Sequence, residues 1–348
     1  MNTTLLAPLT ADDQIYVLSY PYTEFFHDEL SQISQITDFS DRMQRFKKAF
    51  TPSFGYDHIW IELPPKTGTS RNISVICYEG AFDSNCTTEG VLYPKDASYY
   101  NLKIFEDEGH EKLLAHLLWN KSGDRGELIH IQRGDTTSGS EIKQIALHLF
   151  TALKIQRVVL YDAATLTLTT AFDPETLQMS LYLPIVSPDK KTWYERDGFT
   201  PLACKNLPMQ ELGVVANQDP LIYRSAIDKI RKFDLVTLAQ LYWQSPKLAQ
   251  NKAALCALVL AYLPKKEAPA AFSNLPQVKR HVKGKTVAEL GQRIFSAMRE
   301  SKTSDDFVLF YRYILPTFTY TKAKDKLQDY LALGETLQSV RIWEKHFT

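Results

Sequence analysis

Three stretches of the chain combine residue types and spacing that could do chemistry. The first is Gln132-Arg133-Gly134-Asp135-Thr136-Thr137-Ser138-Gly139-Ser140, set between a strand-like run (Glu127–Gln132) and a helical run (Gly139–Leu153). Small residues ahead of a helix leave backbone N–H groups free, and with the helix dipole these can bind a phosphate or carboxylate. The stretch lacks both the Gly-Lys-Ser/Thr ending of a P-loop and the pattern Gly-x-Gly-x-x-Gly. It also suits a plain turn, with Ser138 or Ser140 as N-cap. On the strand before it, Glu127 and His130 are candidate proton acceptors. Three residues apart in an extended strand, they are expected on opposite faces, so that only one could meet a substrate.

The second stretch is Ser187–Phe199, ending in Tyr194-Glu195-Arg196-Asp197-Gly198-Phe199. The third is Lys279-Arg280-His281-Val282-Lys283-Gly284-Lys285, with Lys265 and Lys266 upstream. Such a density of cations attracts phosphates on lipid, nucleotide or nucleic acid. It equally suits a solvated loop. Metal chemistry finds little support. The histidines of His110-Glu111 and His116 are six apart and would sit on different faces of a helix. The cysteines Cys77, Cys86, Cys204 and Cys256 contain no Cys-x-x-Cys, so no metal and no disulfide scaffold are expected.

Taken together, the first two stretches resemble the GNAT family of N-acetyltransferases over residues 127–203. That family has a strand, a phosphate-binding loop written roughly Arg/Gln-x-x-Gly-x-Gly/Ala, a helix, a further strand and a closing Tyr-Glu-x-x-Gly-Phe-like motif. Tyr194–Phe199 matches the closing motif, and Arg133-Gly134 with Gly139-Ser140 matches the loop if one residue is inserted. The chain departs from the pattern in four places. Thr136 and Ser138 replace usual glycines. Asp135 would bring a carboxylate to the cofactor pyrophosphate. Residues 162–182 read as an insertion, and a helix expected over 108–119 interrupts the antiparallel strands that should precede the loop. The resemblance implies acetyl-CoA as cofactor, held by Arg133, Gly134, Thr137, Ser138, Gly139 and Ser140. It implies Glu127 or His130 as base toward the amine of a protein or small molecule, and Tyr194 as the acid that protonates the leaving thiolate.

The elements that must position these residues follow from pattern. Hydrophobic residues are 44% of the 348 and charged residues 23%, which excludes wholesale disorder and suggests two domains. Strands are expected at Gln14–Tyr20, His58–Leu63, Asn72–Tyr78, Tyr99–Phe105, Glu127–Gln132 and Arg157–Tyr161. Thr165–Phe172 and Gln178–Val186 are expected to form a hairpin, with a short helix over Pro188–Arg196 and a strand at Phe199–Ala203. Helices are expected over Phe25–Phe50, Glu108–Trp119 and Gly139–Leu153. After Pro220 only helices are expected, down to Lys322–Leu333 and Glu335–Lys345, with Pro264–Lys285 as a connector.

The net charge of zero hides a split. Residues 220–348 carry 21 Lys and Arg against 11 Asp and Glu, whereas the rest carry 19 against 29. The expected fold class is α+β: an acidic domain over 1–212, with a mixed sheet and flanking helices, then a basic all-helical domain over 213–348. Its aromatics read as helix cores rather than base-stacking platforms, which disfavours nucleic acid. The alternative to an enzyme is an effector-like interaction protein whose basic domain binds an acidic partner or an anionic membrane. Seven acidic residues precede the first basic one, Arg42, so no secretory or mitochondrial leader is expected. No apolar run is long enough for a transmembrane helix, and a cytoplasmic location is the default expectation.

Overall fold

Alternating apolar and polar residues over His58–Lys66 and Thr69–Ala81 make two strands, and in the computed structural model they pair antiparallel. The structure describes residues 19–21, 24–50, 58–66, 69–81, 98–106, 112–161, 165–168, 175–201, 220–266, 268–300, 304–319 and 342–347. Two compact units divide between Tyr161 and Asp162, with Glu344–Thr348 returning to the first. The boundary expected at 212 lies outside the described residues. The α+β class holds: a mixed sheet with helices, and after Pro220 described residues that are mostly helical.

The first unit contains β1 (Ser19–Pro21), α1 (Leu30–Gln35, entered through a π-turn), α2 (Phe39–Phe50), β2 (His58–Lys66) and β3 (Thr69–Ala81). It continues with β4 (Ser98–Phe105), β5 (Leu113–Trp119), β6 (Arg125–Ile131), α3 (Gly139–Ala152) and β7 (Arg157–Tyr161). Strands β1 to β7 lie side by side in chain order. β1 runs parallel to β2, β2 to β6 are antiparallel, and β7 returns parallel to β6 after α3.

Register assigns every side chain to a face. One face carries Ile59, Ile61, Ile73, Val75, Leu102, Ile104, Leu117, Trp119, Leu128, Val158 and Leu160, all buried. Trp119 meets Phe46 of α2 and Phe150 of α3 edge-to-face, at 6.4 and 6.3 Å between ring centroids. The other face is mixed. It carries buried Ser74, Asn101, His116 and Glu127 among apolar neighbours such as Leu118 and Val159.

Of the helix expected over Glu108–Trp119, Leu113–Trp119 is instead strand β5, and residues 108–111 lie outside the described residues. Leu113, Leu114, Leu117 and Leu118 suit a helix stripe, but a central strand buried on both faces gives the same unbroken apolar run. The antiparallel series that leads to the loop is therefore uninterrupted. His116 stands on this strand, and His110 and Glu111 lie outside the described residues.

The second unit opens with a hairpin of β8 (Thr165–Leu168) and β9 (Glu175–Gln178), shorter than expected. Met179–Val186 forms a helix, α4, rather than the second hairpin strand. Its end is held from outside: the buried guanidinium of Arg231 donates to the carbonyls of Pro184, Ile185 and Ser187. β10 is only Thr200–Pro201. Helices α5 (Pro220–Lys232), α6 (Leu235–Gln244), α7 (Ala249–Tyr262), α8 (Leu275–His281), α9 (Val287–Glu300), α10 (Asp305–Leu309) and α11 (Pro316–Thr319) follow. Asp234 caps α6 and Asn274 caps α8 through their side chains. The expected connector thus contains a helix. Gly291 lets α9 pack closely, because a Cβ there would come within 2.9 Å of Val186 and Phe310. The helix expected over Lys322–Leu333 lies outside the described residues. Within Glu335–Lys345, Ile342–His346 is strand β11, which extends the first sheet beyond β7. Arg157 binds Glu344 at 2.8 Å, and the Phe347 amide donates to the Gln156 carbonyl.

Arg42 ties three helix ends of the first unit together. Its guanidinium, 4% exposed, donates to the carbonyls of Ile36, Thr37 and Leu153. Arg42→Met leaves these acceptors without their donor. Urea titration should show a loss of about 2–3 kcal/mol, since buried unsatisfied groups cost about 1–3 kcal/mol each. A loss below about 0.5 kcal/mol would show that water replaces the guanidinium.

Candidate functional site

The loop between β6 and α3 is closed by the chain itself. Gly134 donates to the Thr137 carbonyl at 2.8 Å, which folds the loop so that three consecutive amides point the same way. They converge on the carboxylate of Glu106, just past β4. Asp135 N donates to it at 2.5 Å, Thr136 N at 2.7 Å and Thr137 N at 3.1 Å, with the Thr136 hydroxyl at 2.8 Å. Lys112 adds a cation, 3.4 Å from Glu106 and 2.5 Å from Asp135. Partial burial works to raise the Glu106 carboxyl, but the Asp135 and Thr136 donors and Lys112 outweigh it and hold it down at about 2. Gly134 makes room for this carboxylate, because a Cβ there would lie 2.3 Å from its Oε1.

Two amides of the helix start are taken locally. Ser138 is the N-cap of α3 in a capping box with Glu141. Arg71 of β3 binds Glu141 at 2.9 Å and donates to the carbonyls of Pro64 and Thr136. Of the residues expected to hold a cofactor, Gly134 and Thr137 are buried in the loop, Ser138 and Gly139 are half-buried, and Arg133 and Ser140 are exposed.

Glu127 and His130 share a face of the sheet, contrary to expectation. Leu118 pairs with Glu127, Leu117 with Leu128, and then His116 with His130. Ile129 is the extra residue of a β-bulge, and it turns His130 to the side of Glu127 and His116. Glu127 is 5% exposed, with Oε2 buried and unpartnered. Burial pushes its carboxyl up to about 7, against a smaller opposing pull from Arg125. Partial burial holds the half-buried His130 ring below its ordinary value, with Gln132 and the Leu113 backbone opposing that shift. On the same face His116 Nε2 lies 3.1 Å from Asn101 Oδ1. Asn101 escaped the sequence reading, and His116 entered it only as a rejected metal ligand, since neither belongs to a spaced motif.

Tyr194 belongs to the second unit and the loop to the first, so the expected acid and the expected cofactor site do not share a unit. The closing motif has a local structural account. Glu195 caps the Thr192 turn reciprocally and pairs with Arg224. Gly198 takes φ +83°, and Phe199 packs edge-to-face on the buried Tyr194 ring.

The basic cluster caps the end of α8. Arg280 and Lys283 are exposed, Lys279 is half-buried, and Lys285 is paired with Glu289 at 2.5 Å. His281 is not one of the exposed cations. It is buried, bonded to the Leu263 carbonyl and edge-to-face with Phe272. Among the described residues no group of three or more His, Cys, Asp or Glu is placed to hold a metal ion. None of the described helices is long and apolar enough to cross a membrane.

No protein-family model, curated protein or solved structure matches the chain.

The Glu127 carboxyl sets a pH test. Its folded value lies above the ordinary glutamate value of about 4.3, so the neutral form suits the fold. Its stabilising contribution is complete below about pH 4 and is lost as pH rises through about 7. Glu127→Gln removes that loss. Its melting temperature should therefore gain on the parent between about pH 5 and 8 in differential scanning fluorimetry. A constant difference would mean that Glu127 titrates normally.

Proposed function

We propose that the protein is an acyltransferase that passes the acetyl group of acetyl-CoA to an amine of a protein or small molecule. One observation carries the reading. An unbroken antiparallel series from β2 to β6 leads into the loop, α3 and parallel β7, and β6–β7 pairing stops at Leu128 and Leu160 while β6 runs on to Ile131. The strand ends beyond that point offer an edge where a cofactor could lie next to Arg133–Ser140. In this reading the loop amides and the α3 start receive the pyrophosphate. Glu127, poised near neutrality, takes the proton of the acceptor amine as the amine attacks the thioester carbonyl; the C–S bond then breaks, and the departing CoA thiolate takes its proton from solvent. His130, on the same face, is the second candidate for that role. Tyr194 is assigned no step, since its motif is accounted for by packing and capping.

Calorimetry with acetyl-CoA tests the proposal. The parent should bind, and Gly139→Asp, which places a carboxylate at the helix start, should weaken binding at least about tenfold. The acid limb of the rate profile should fall near pH 7 and disappear in Glu127→Gln. No binding by the parent at millimolar acetyl-CoA removes the reading.

A second reading follows from Lys279, Arg280 and Lys283, which have no acidic partner among the described residues. We propose, as the alternative, that this end of α8 contacts an anionic surface, a membrane or an acidic protein. Co-sedimentation with phosphatidylserine vesicles should be strong at low salt and should fall with added salt, because exposed charges are screened beyond about 8 Å at physiological ionic strength. It should be lost in the triple alanine variant, whose melting temperature stays unchanged. Retained binding in that variant would place the contact elsewhere.

A further inference from the structure

We infer that the Asp135–Thr137 backbone is an anion cradle that the chain keeps closed with its own Glu106, so that a phosphate-bearing ligand enters only by displacing this carboxylate. The inference builds on the reading that this loop receives the cofactor pyrophosphate, and it adds a built-in competitor. Three successive amides and one hydroxyl on a single carboxylate reproduce the donor arrangement that backbone nests offer to phosphate oxygens. These donors precede the N-cap Ser138, so the cradle is distinct from the Ser138–Glu141 box, which takes only the Ser138 and Glu141 amides. The occupant is itself an anion, seated over Gly134, where a Cβ would collide with it, and countered by Lys112. Glu106 is joined to the fold through β4, so it competes at the effective concentration of a tethered group, in the millimolar range or above. An external anion that gains only the same contacts is outcompeted unless further contacts favour it.

Isothermal calorimetry with inorganic pyrophosphate, on the parent, Glu106→Ala and Glu106→Gln, tests the inference. Both variants should bind at least about tenfold more tightly than the parent, with the alanine variant the tighter. Added pyrophosphate should raise their melting temperatures and leave that of the parent unchanged. Thr136→Pro, which deletes the central amide donor, should abolish the gain when combined with Glu106→Gln. If the alanine variant does not fold, the glutamine variant carries the test, since it keeps the side-chain size and loses only the charge. Equal affinity in parent and glutamine variant overturns the inference, as does tight binding that survives Thr136→Pro. Acetyl-CoA separates this outcome from the acyltransferase reading. Variants that gain pyrophosphate but never bind acetyl-CoA keep the gate and remove the enzyme. Equal acetyl-CoA binding by parent and variants keeps the enzyme and removes the gate.

Discussion

The Glu106 carboxylate sits where four donors of one loop converge, and much of the first unit is arranged around that contact. It joins the end of β4 to the segment between β6 and α3. The loop so fixed presents the Thr136 carbonyl to Arg71, and Arg71 in turn holds Glu141, which closes the Ser138 cap. Through Pro64 the same guanidinium reaches the far end of β2. One chain of charge-assisted hydrogen bonds therefore sets where α3 starts. Such bonds are stronger than neutral ones, and their donors and acceptors would be costly to leave unmade in a partly buried place.

The sheet supplies the second constraint. Its apolar face is closed by α2 and α3 around Trp119. Polar groups collect on the opposite face, where Asn101, His116 and Glu127 are buried among apolar side chains. A single extra residue at Ile129 adds His130 to them. A bulge thus changes the chemistry of a face without changing any residue type. In the second unit Arg231 plays a comparable part, closing the carbonyl end of α4 from α5. Each unit thus uses one buried arginine, Arg42 or Arg231, to satisfy carbonyls at helix ends.

The sequence by itself determined the elements whose periodicity is local: α3, with its Ser138 cap, the β2–β3 hairpin, β4, β6 and β7, the helical run after Pro220, and hence the α+β class. It also placed Glu127 and the 133–140 loop side by side, because both lie on one short contiguous stretch. Tertiary structure decided the rest. Leu113–Trp119 became a strand because neighbours on both sides complete its hydrogen bonds and its two faces are both buried, which erases the alternation that marks a strand. Ile342–His346 became a strand only by reaching β7, some 180 residues away, a pairing that no local pattern encodes. The bulge at Ile129 arises from a register mismatch between β5 and β6, and register is a property of two strands. Glu106 reads in sequence as one acid among several before a helix. Only the folded backbone, bending three amides toward it across a span of about thirty residues, makes it the anion of the loop.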